Sequence, residues 1–371
     1  MKVLITGADG FIGKNLVLHL AERKDAEVLP FTRETGREAL GKLVAQADFI
    51  FHLAGINRPQ QPEEFQDNAD LTVLLCEAVA ASGRKIPVLY SSSIQAELDN
   101  PYGQSKRAAE DALLSLQKLH GVSVFLYRLP NVFGKWARPN YNSVVATFCH
   151  NIARGLPIRI NDESTKVTLV YVDDVISSFL DALDGNLTTT PFVDVAPQYT
   201  VTVGELAKQI HAFRSTRENM VTESVGVGFV RALHSTYVSY LPPEDFSYSV
   251  QRHADPRGVF VEMLKTKDSG QFSFFTAHPG ITRGGHYHHS KTERFLVIKG
   301  KACFRFRHMV TGEFHEIFVD GDESIVVETV PGWTHDITNV GDDEMIVMLW
   351  ANEIFDRQNS DTFACPVGVT P

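Results

Sequence analysis

The chain has 371 residues, 43% of them hydrophobic, and its 35 Lys and Arg face 45 Asp and Glu for a formal net charge of −10. That length suits two or three globular domains with ordinary cores. The charge argues against nucleic acid or a membrane surface as partner, since both need clustered cations facing phosphates. Apolar runs such as "DFIFHLAGI" are too short to span a bilayer, so no membrane insertion is expected. The start "MKVLITGADG" lacks a signal-peptide layout and points to a cytoplasmic location. Four cysteines, Cys76, Cys149, Cys303 and Cys365, stand without a Cys-x-x-Cys pair, which fits a reducing compartment.

From Met1 to about Leu183, apolar runs "KVLITG", "FIFHLAG", "PVLYSSS" and "VSVFLYRLP" alternate with helical stretches such as "IGKNLVLHLAERK" and "SKRAAEDALLSLQKL". This alternation predicts an α/β doubly wound parallel sheet with helices on both faces. A long crossover helix within "PEEFQDNADLTVLLCEAVAASG" should stop at Gly83. After "SYLPPEDFSYS" the pattern becomes all-β, with short runs such as "ERFLVIKG", "KACFRFRHM" and "EMIVMLWANE" between Gly, Asp and Asn turns. A barrel or jelly roll of about 120 residues fits it. The expected domains are therefore 1–243 and 244–371.

"KVLITGADGFIG" sets Gly7, Gly10 and Gly13 between an apolar strand and an amphipathic helix that opens with Phe11 and Ile12. Glycines there allow a tight turn and close approach of a pyrophosphate to the helix amino terminus. In "AEVLPFTRETG", Thr32 and Arg33 stand where an acidic residue would bind the ribose of NAD. Arginine suits a 2′-phosphate instead, so NADPH and a reductase are expected. "YGQSK" puts Tyr102 four residues before Lys106 on one helical face. The ammonium favours the phenolate and lets the phenol exchange a proton with a substrate oxygen. A serine from the preceding "LYSSS" could bond the same oxygen.

Over about residues 1–240 these motifs resemble the extended short-chain dehydrogenase/reductase family. The resemblance implies a catalytic set of Ser93 (Ser92 being the near alternative), Tyr102 and Lys106, with the cofactor also lined by Leu53, Ala54 and Gly55 of "HLAG". "RLPNVFG" resembles the family's nucleotide-sugar segment and makes Arg128 and Asn131 substrate contacts. Only nine positions separate Ser93 from Tyr102, fewer than family members often have, which implies a more open pocket on that side.

"GITRGGHYHHSKTERFLVIKG" spaces Gly280, His286, His288, Glu293 and Gly300 as in the first motif of the cupin barrels. "PGWTHDITN" matches the second motif with Gly332, His335 and Asn339, its proline one place late at Pro331. Alternate residues of a strand point to one side, and three imidazoles with a carboxylate suit Zn²⁺ or another divalent metal. The same stretch, with "HADPRGVFVE" ahead of it, is similar to the metal-free nucleotide-sugar 3,5-epimerases. That similarity makes His286 a base and places Arg257 and Arg283 at the substrate. The added His288, Glu293 and His335 favour the metal. If His286 is a ligand, the base must be a neighbour such as Tyr287, His289, Lys291 or Asp336.

Over its full length the chain resembles the CapF/WbjC-type bifunctional enzymes of bacterial capsule and O-antigen synthesis. The resemblance implies a UDP-linked 4-keto-6-deoxy amino sugar as substrate, inversion of carbon 3 in the cupin, and reduction at carbon 4 to a UDP-N-acetyl-L-talosamine-type sugar. A homodimer is expected on the same ground, and from apolar barrel strands that would otherwise leave exposed edges. The alternatives are a reductase whose cupin is purely structural, and a sugar-binding regulator.

Overall fold

Strand β1 (Lys2–Thr6) carries an unbroken buried run, Val3, Leu4, Ile5 and Thr6, the pattern of a strand covered on both faces. It pairs in parallel with β2 (Glu27–Phe31) on one side and β3 (Phe49–His52) on the other. With β4 (Val88–Ser93) and β5 (Val124–Leu129) the sheet order is β2-β1-β3-β4-β5, all parallel. The computed structural model describes residues 1–187, 191–250, 252–255, 258–261, 264–266, 270–353 and 358–368.

One face of the sheet is covered by α2 (Leu40–Gln46), α3 (Gln66–Ala81) and α4 (Pro101–His120), which bury Leu75, Val79, Leu113 and Leu116 against Leu4, Ile50, Val88 and Leu126. On the other face, Phe179 of the helix Val172–Leu183 packs its ring 5.8 Å from Phe51 and 4.8 Å from Tyr127. Helix α1 (Phe11–Ala21) lies beside that helix. The unit is thus a doubly wound Rossmann-type fold. The chain reverses its progress across the sheet between β1 and β3, where such folds bind dinucleotides. As the spacing predicts, the chain leaves α3 through Gly83, at φ 65°.

The second unit holds two five-stranded sheets. One runs Ser247–Ser249, Ile325–Glu328, Glu293–Lys299, Met345–Ala351, Gln271–Ala277, and the other Phe314–Asp320, Lys301–His308, Trp333–Asn339, Thr282–Tyr287, Phe363–Ala364. Their pairings are antiparallel. Phe295 of the first sheet meets Phe304 of the second at 5.7 Å between ring centres, so the two inner faces share a core. This is a β-barrel of the cupin kind.

The compact units are Met1–Arg138 with Val167–Thr200, and Pro139–Lys166 with Val201–Pro371. Helix Val203–Asn219 joins the barrel unit because its Arg217 pairs with Glu328 and donates to the Asp245 carbonyl. No helix among the described residues is long and apolar enough to cross a membrane.

Candidate active sites

In the first unit, the Gly7 N–H donates to the Phe31 carbonyl at 2.8 Å and the Gly10 N–H to the Gly7 carbonyl at 2.9 Å, which folds the β1–α1 turn tightly. Gly7 sits at φ 71°, and a methyl group there would lie 2.8 Å from the Ala54 nitrogen. One on Gly13 would lie 2.1 Å from the Gly7 carbonyl oxygen. Only glycine permits this packing. The bare amino terminus of α1, with no side-chain cap, offers its N–H groups to an anion.

A cleft of about 510 Å³ opens there, lined by Gly7, Gly10, Arg33, Leu53, Ala54 and Gly55 among the expected residues. Phe11, Ile12 and Gly13 form the first helical turn and do not line it. Neither does His52 of "HLAG", which is wholly buried and bonded to Thr6 at 2.7 Å and Thr72 at 2.8 Å. Burial and the Lys106 charge push it down to about 3, so it stays neutral as a strut. The glycine cradle and anion-ready helix end fit a dinucleotide.

Helix α4 carries Tyr102 and Lys106, which are not among the residues lining the cleft. Asn100 caps it by accepting from the Gly103 N–H at 2.8 Å, and Pro101 occupies the first turn. Lys106 is 5% exposed; its Nζ donates to the Ser91 carbonyl at 2.9 Å and lies 5.9 Å from the centre of the Tyr102 ring. The same Nζ would lie 3.3 Å from a methyl on Gly55 of the cleft. Burial lowers Lys106 to about 8, with Glu110 acting the other way. Burial raises Tyr102, while its hydrogen bond with Ser93 lowers it.

The two serines have different partners. Ser92 is buried and donates to the Glu110 carboxylate, whereas Ser93 is half-buried beside Tyr102. Arg128 forks onto Glu110, with contacts of 3.0 and 2.6 Å, and reaches Glu97 at 2.9 Å. Its guanidinium is therefore committed to carboxylates. Asn131 is exposed and donates to the Thr168 carbonyl at 3.2 Å.

In the barrel, the strand Thr282–Tyr287 carries His286 directly opposite His335 of Trp333–Asn339, after an irregularity between Gly284 and His286. His286, His288, Glu293 and His335 bring one ligand atom each within 4.8 Å of one another. His288 Nε2 lies 3.1 Å and His335 Nε2 3.5 Å from Glu293 Oε2, and Lys291 Nζ lies 2.7 Å from Oε1. Although burial opposes its charge, Glu293 is held well below the usual carboxylate range by His288 and His335 beside it and by Lys291. Burial, with His335 and His288 beside it, pushes His286 down to about 3.

The carbonyl of Asp361 takes the Nδ1 hydrogen of His288. The His288 Nε2 lone pair then faces a carboxylate oxygen, and both nitrogens of buried His335 lack a hydrogen-bond partner. A shared cation would satisfy this arrangement, and the donor set of three imidazoles and one carboxylate suits zinc. Of the other bases expected near the cluster, Tyr287 stacks on Phe363 at 5.5 Å and His289 also packs on that ring. Asp336 is paired with Arg305 at 2.8 Å through both oxygens. Lys291 reaches the cluster through its 2.7 Å contact with Glu293. Arg283 is exposed, donating to the Thr276 carbonyl at 3.2 Å, and Arg257 lies outside the described residues.

The NAD dependent epimerase/dehydratase family matches residues 3–191, and the polysaccharide biosynthesis C-terminal domain matches residues 253–363. A UDP-2-acetamido-2,6-beta-L-arabino-hexul-4-ose reductase of Pseudomonas aeruginosa is 63% identical over 99% of both chains. The chain belongs to the NAD dependent epimerase/dehydratase family. Within this family, a GDP-6-deoxy-D-mannose reductase of Pseudomonas aeruginosa is 30% identical over 49% of this chain and 70% of its own. The crystal structure of the capsular polysaccharide assembling protein CapF of Staphylococcus aureus matches with a TM-score of 0.67 and 41% identity, covering 99% of this chain and 100% of that one. The chain is thus a full-length relative of the CapF-type proteins.

Several residues of this family member's sites escape a reading of motifs. Asn68 bonds both polar groups of Ile56, at 2.7 and 3.0 Å, and shapes the cleft wall. Glu110, 1% exposed, gathers Ser92 and Arg128. Its place four residues after Lys106, on the same helical face, is the signal that could have found it.

Proposed function

We propose that the protein is a bifunctional enzyme that inverts carbon 3 of a UDP-2-acetamido-2,6-dideoxy-4-hexulose and reduces its ketone at carbon 4 with NADPH. The product is a UDP-N-acetyl-L-talosamine-type 6-deoxy sugar. Residues 1–243 carry the reduction, and the barrel, 244–371, the epimerisation. The observation that carries this reading is the meeting of Ser93, Tyr102 and Lys106 beside the glycine cleft, in a chain collinear with a UDP-4-keto-sugar reductase.

Bound NADPH supplies the hydride. Tyr102 gives its phenolic proton to the ketone oxygen, and Ser93 hydrogen-bonds that oxygen. Buried Lys106 stabilises the phenolate left behind. Exposed Arg33 at the cleft rim suits a 2′-phosphate. Arg128 holds the Glu110 side of this site and meets the sugar nucleotide only by leaving a carboxylate.

In the barrel, His286, His288, Glu293 and His335 would hold a divalent cation, zinc by donor type, which would supply positive charge toward the oxyanion formed when carbon 3 is deprotonated. With His286 engaged as a ligand, Lys291 is the proton-transfer group left at the cluster; without the cation, neutral His286 takes that role. Inversion must come first, because the ketone acidifies its neighbouring C–H bond only until it is reduced.

The test uses the full-length protein. With the keto sugar it should oxidise NADPH, and Tyr102→Phe should reduce that to below a few per cent. In deuterated water without NADPH, carbon 3 should exchange its hydrogen in wild type and in Tyr102→Phe, but not in His286→Ala. Persistent reduction in Tyr102→Phe would refute the first assignment. Absence of exchange in wild type would refute the second and leave the barrel a structural module.

A further inference from the structure

We propose that Asp361 is the positioning residue of the histidine–glutamate centre, holding His288 in the tautomer that offers Nε2 to a divalent cation; this rests on the metal reading of that centre. Between Tyr287 and Glu293 the chain leaves one strand and enters another, and His288 to Thr292 are all buried. Buried N–H groups in such a turn need acceptors. Asp361 supplies them. Its Oδ1 accepts from the His289 N–H at 2.8 Å, and its Oδ2 from the Ser290 and Lys291 N–H groups, each at 2.7 Å, and from the Ser290 hydroxyl at 3.0 Å.

Three successive N–H groups turned onto one carboxylate form an anion nest built from the chain itself. The same residue's main-chain carbonyl takes the Nδ1 hydrogen of His288. A carbonyl can only accept, so Nδ1 carries a proton, and in the neutral ring that leaves the lone pair on Nε2, the atom 3.1 Å from Glu293.

The segment around Asp361 continues the hold. Ala364 and Phe363 pair with His286 and Tyr287, and the Cys365 N–H donates to the Gly285 carbonyl at 2.8 Å. One short tail therefore braces both His286 and His288. Outer partners of this kind set ligand tautomer and orientation, and their loss weakens metal affinity about 10- to 100-fold.

The experiment strips full-length protein with chelator and titrates it with Zn²⁺ against a chromophoric competitor, alongside ¹⁵N NMR of the His288 ring in the metal-free state. Wild type should bind Zn²⁺ and show Nδ1 protonated. In Asp361→Asn, one amide oxygen must replace two carboxylate oxygens. Its Zn²⁺ affinity should fall about 10- to 100-fold, and the His288 ring should become a tautomer mixture. Should that variant fail to fold, Ser290→Ala removes one bond to Oδ2 and should still weaken Zn²⁺ binding about three- to tenfold. Unchanged affinity in the folded variants, or an unchanged His288 tautomer, overturns the proposal while leaving the metal reading intact. Wild type that binds no Zn²⁺ overturns the metal reading itself, and this inference with it.

Discussion

Replacing Lys106 with methionine should make the cofactor-free protein more stable and leave it without reductase activity. Lys106 is 5% exposed, and burial lowers it from 10.5 to about 8. That fall of about 2.5 pH units, at about 1.4 kcal/mol per unit, makes the folded state bear about 3 kcal/mol for keeping the ammonium charged at pH 7. Methionine has similar length and no charge, but it forfeits the 2.9 Å hydrogen bond to the Ser91 carbonyl, at about 1 kcal/mol. A net gain of about 2 kcal/mol remains, readable as a higher urea midpoint with an unchanged slope. The sign with pH follows from the lowered value. The folded state loses its proton near pH 8 and the unfolded state near 10.5, so the unfolded state holds more protons between them and wild type gains stability as pH rises. The variant's advantage should be full below pH 8, close between pH 8 and 10.5, and give way above that to a wild-type advantage of about 1 kcal/mol from the retained hydrogen bond. A variant no more stable than wild type at pH 7, or a variant advantage that persists at pH 11, would refute the claim that the lysine is held charged at a cost.

Arg33→Asp should weaken NADPH binding and narrow the preference over NADH, because a carboxylate would repel the 2′-phosphate; unchanged NADPH affinity by fluorescence titration removes Arg33 from the cofactor site. His288→Ala and His335→Ala should each lower zinc content and melting temperature together, by about 4 kcal/mol of lost linkage where free metal exceeds its dissociation constant a thousandfold. In excess chelator the difference from wild type should shrink, and equal melting of wild type with and without chelator would count against the metal. Light scattering at micromolar concentration should give a dimer, since Phe272 and Phe274 on one edge strand and Phe314 and Phe318 on another are exposed at 45% or more; a monomer would refute it.

What could be read in advance was whatever depends on short spacing. Gly7, Gly10 and Gly13 are legible because strand, turn and helix lie within a dozen residues and the required backbone leaves no room for a side chain. Tyr102 and Lys106 are legible because one helical turn joins them. The four clustered barrel residues are legible because His286, His288, Glu293 and His335 recur at the spacing of the two cupin motifs. The same rule could have separated Ser92 from Ser93. Successive residues at the end of β4 point to opposite faces, one toward Glu110 and the other toward Tyr102.

What stayed hidden are pairings made across the fold. Arg128 reads as a substrate contact because an arginine in a sugar-nucleotide segment is, on its own, a free cation. Its carboxylates lie 18 and 31 residues earlier, on α4 and on the short turn after β4, and parallel strand pairing of β4 with β5 is what sets all three together. Asp361 is 73 residues from His288 and belongs to no motif, yet it governs which nitrogen of that ring is free. In both sites the residues that do chemistry sit in local patterns, while those that set charge and tautomer arrive from distant segments. A buried group must be matched wherever the fold supplies a partner, and sequence distance has no bearing on that match. Glu110 is the sharpest case: it is nearly inaccessible, so Arg128 and Ser92 are obligatory partners before any substrate binds. Removing Arg128 would therefore leave an uncompensated buried carboxylate behind Ser92, and a loss of activity in such a variant would by itself say nothing about substrate contact.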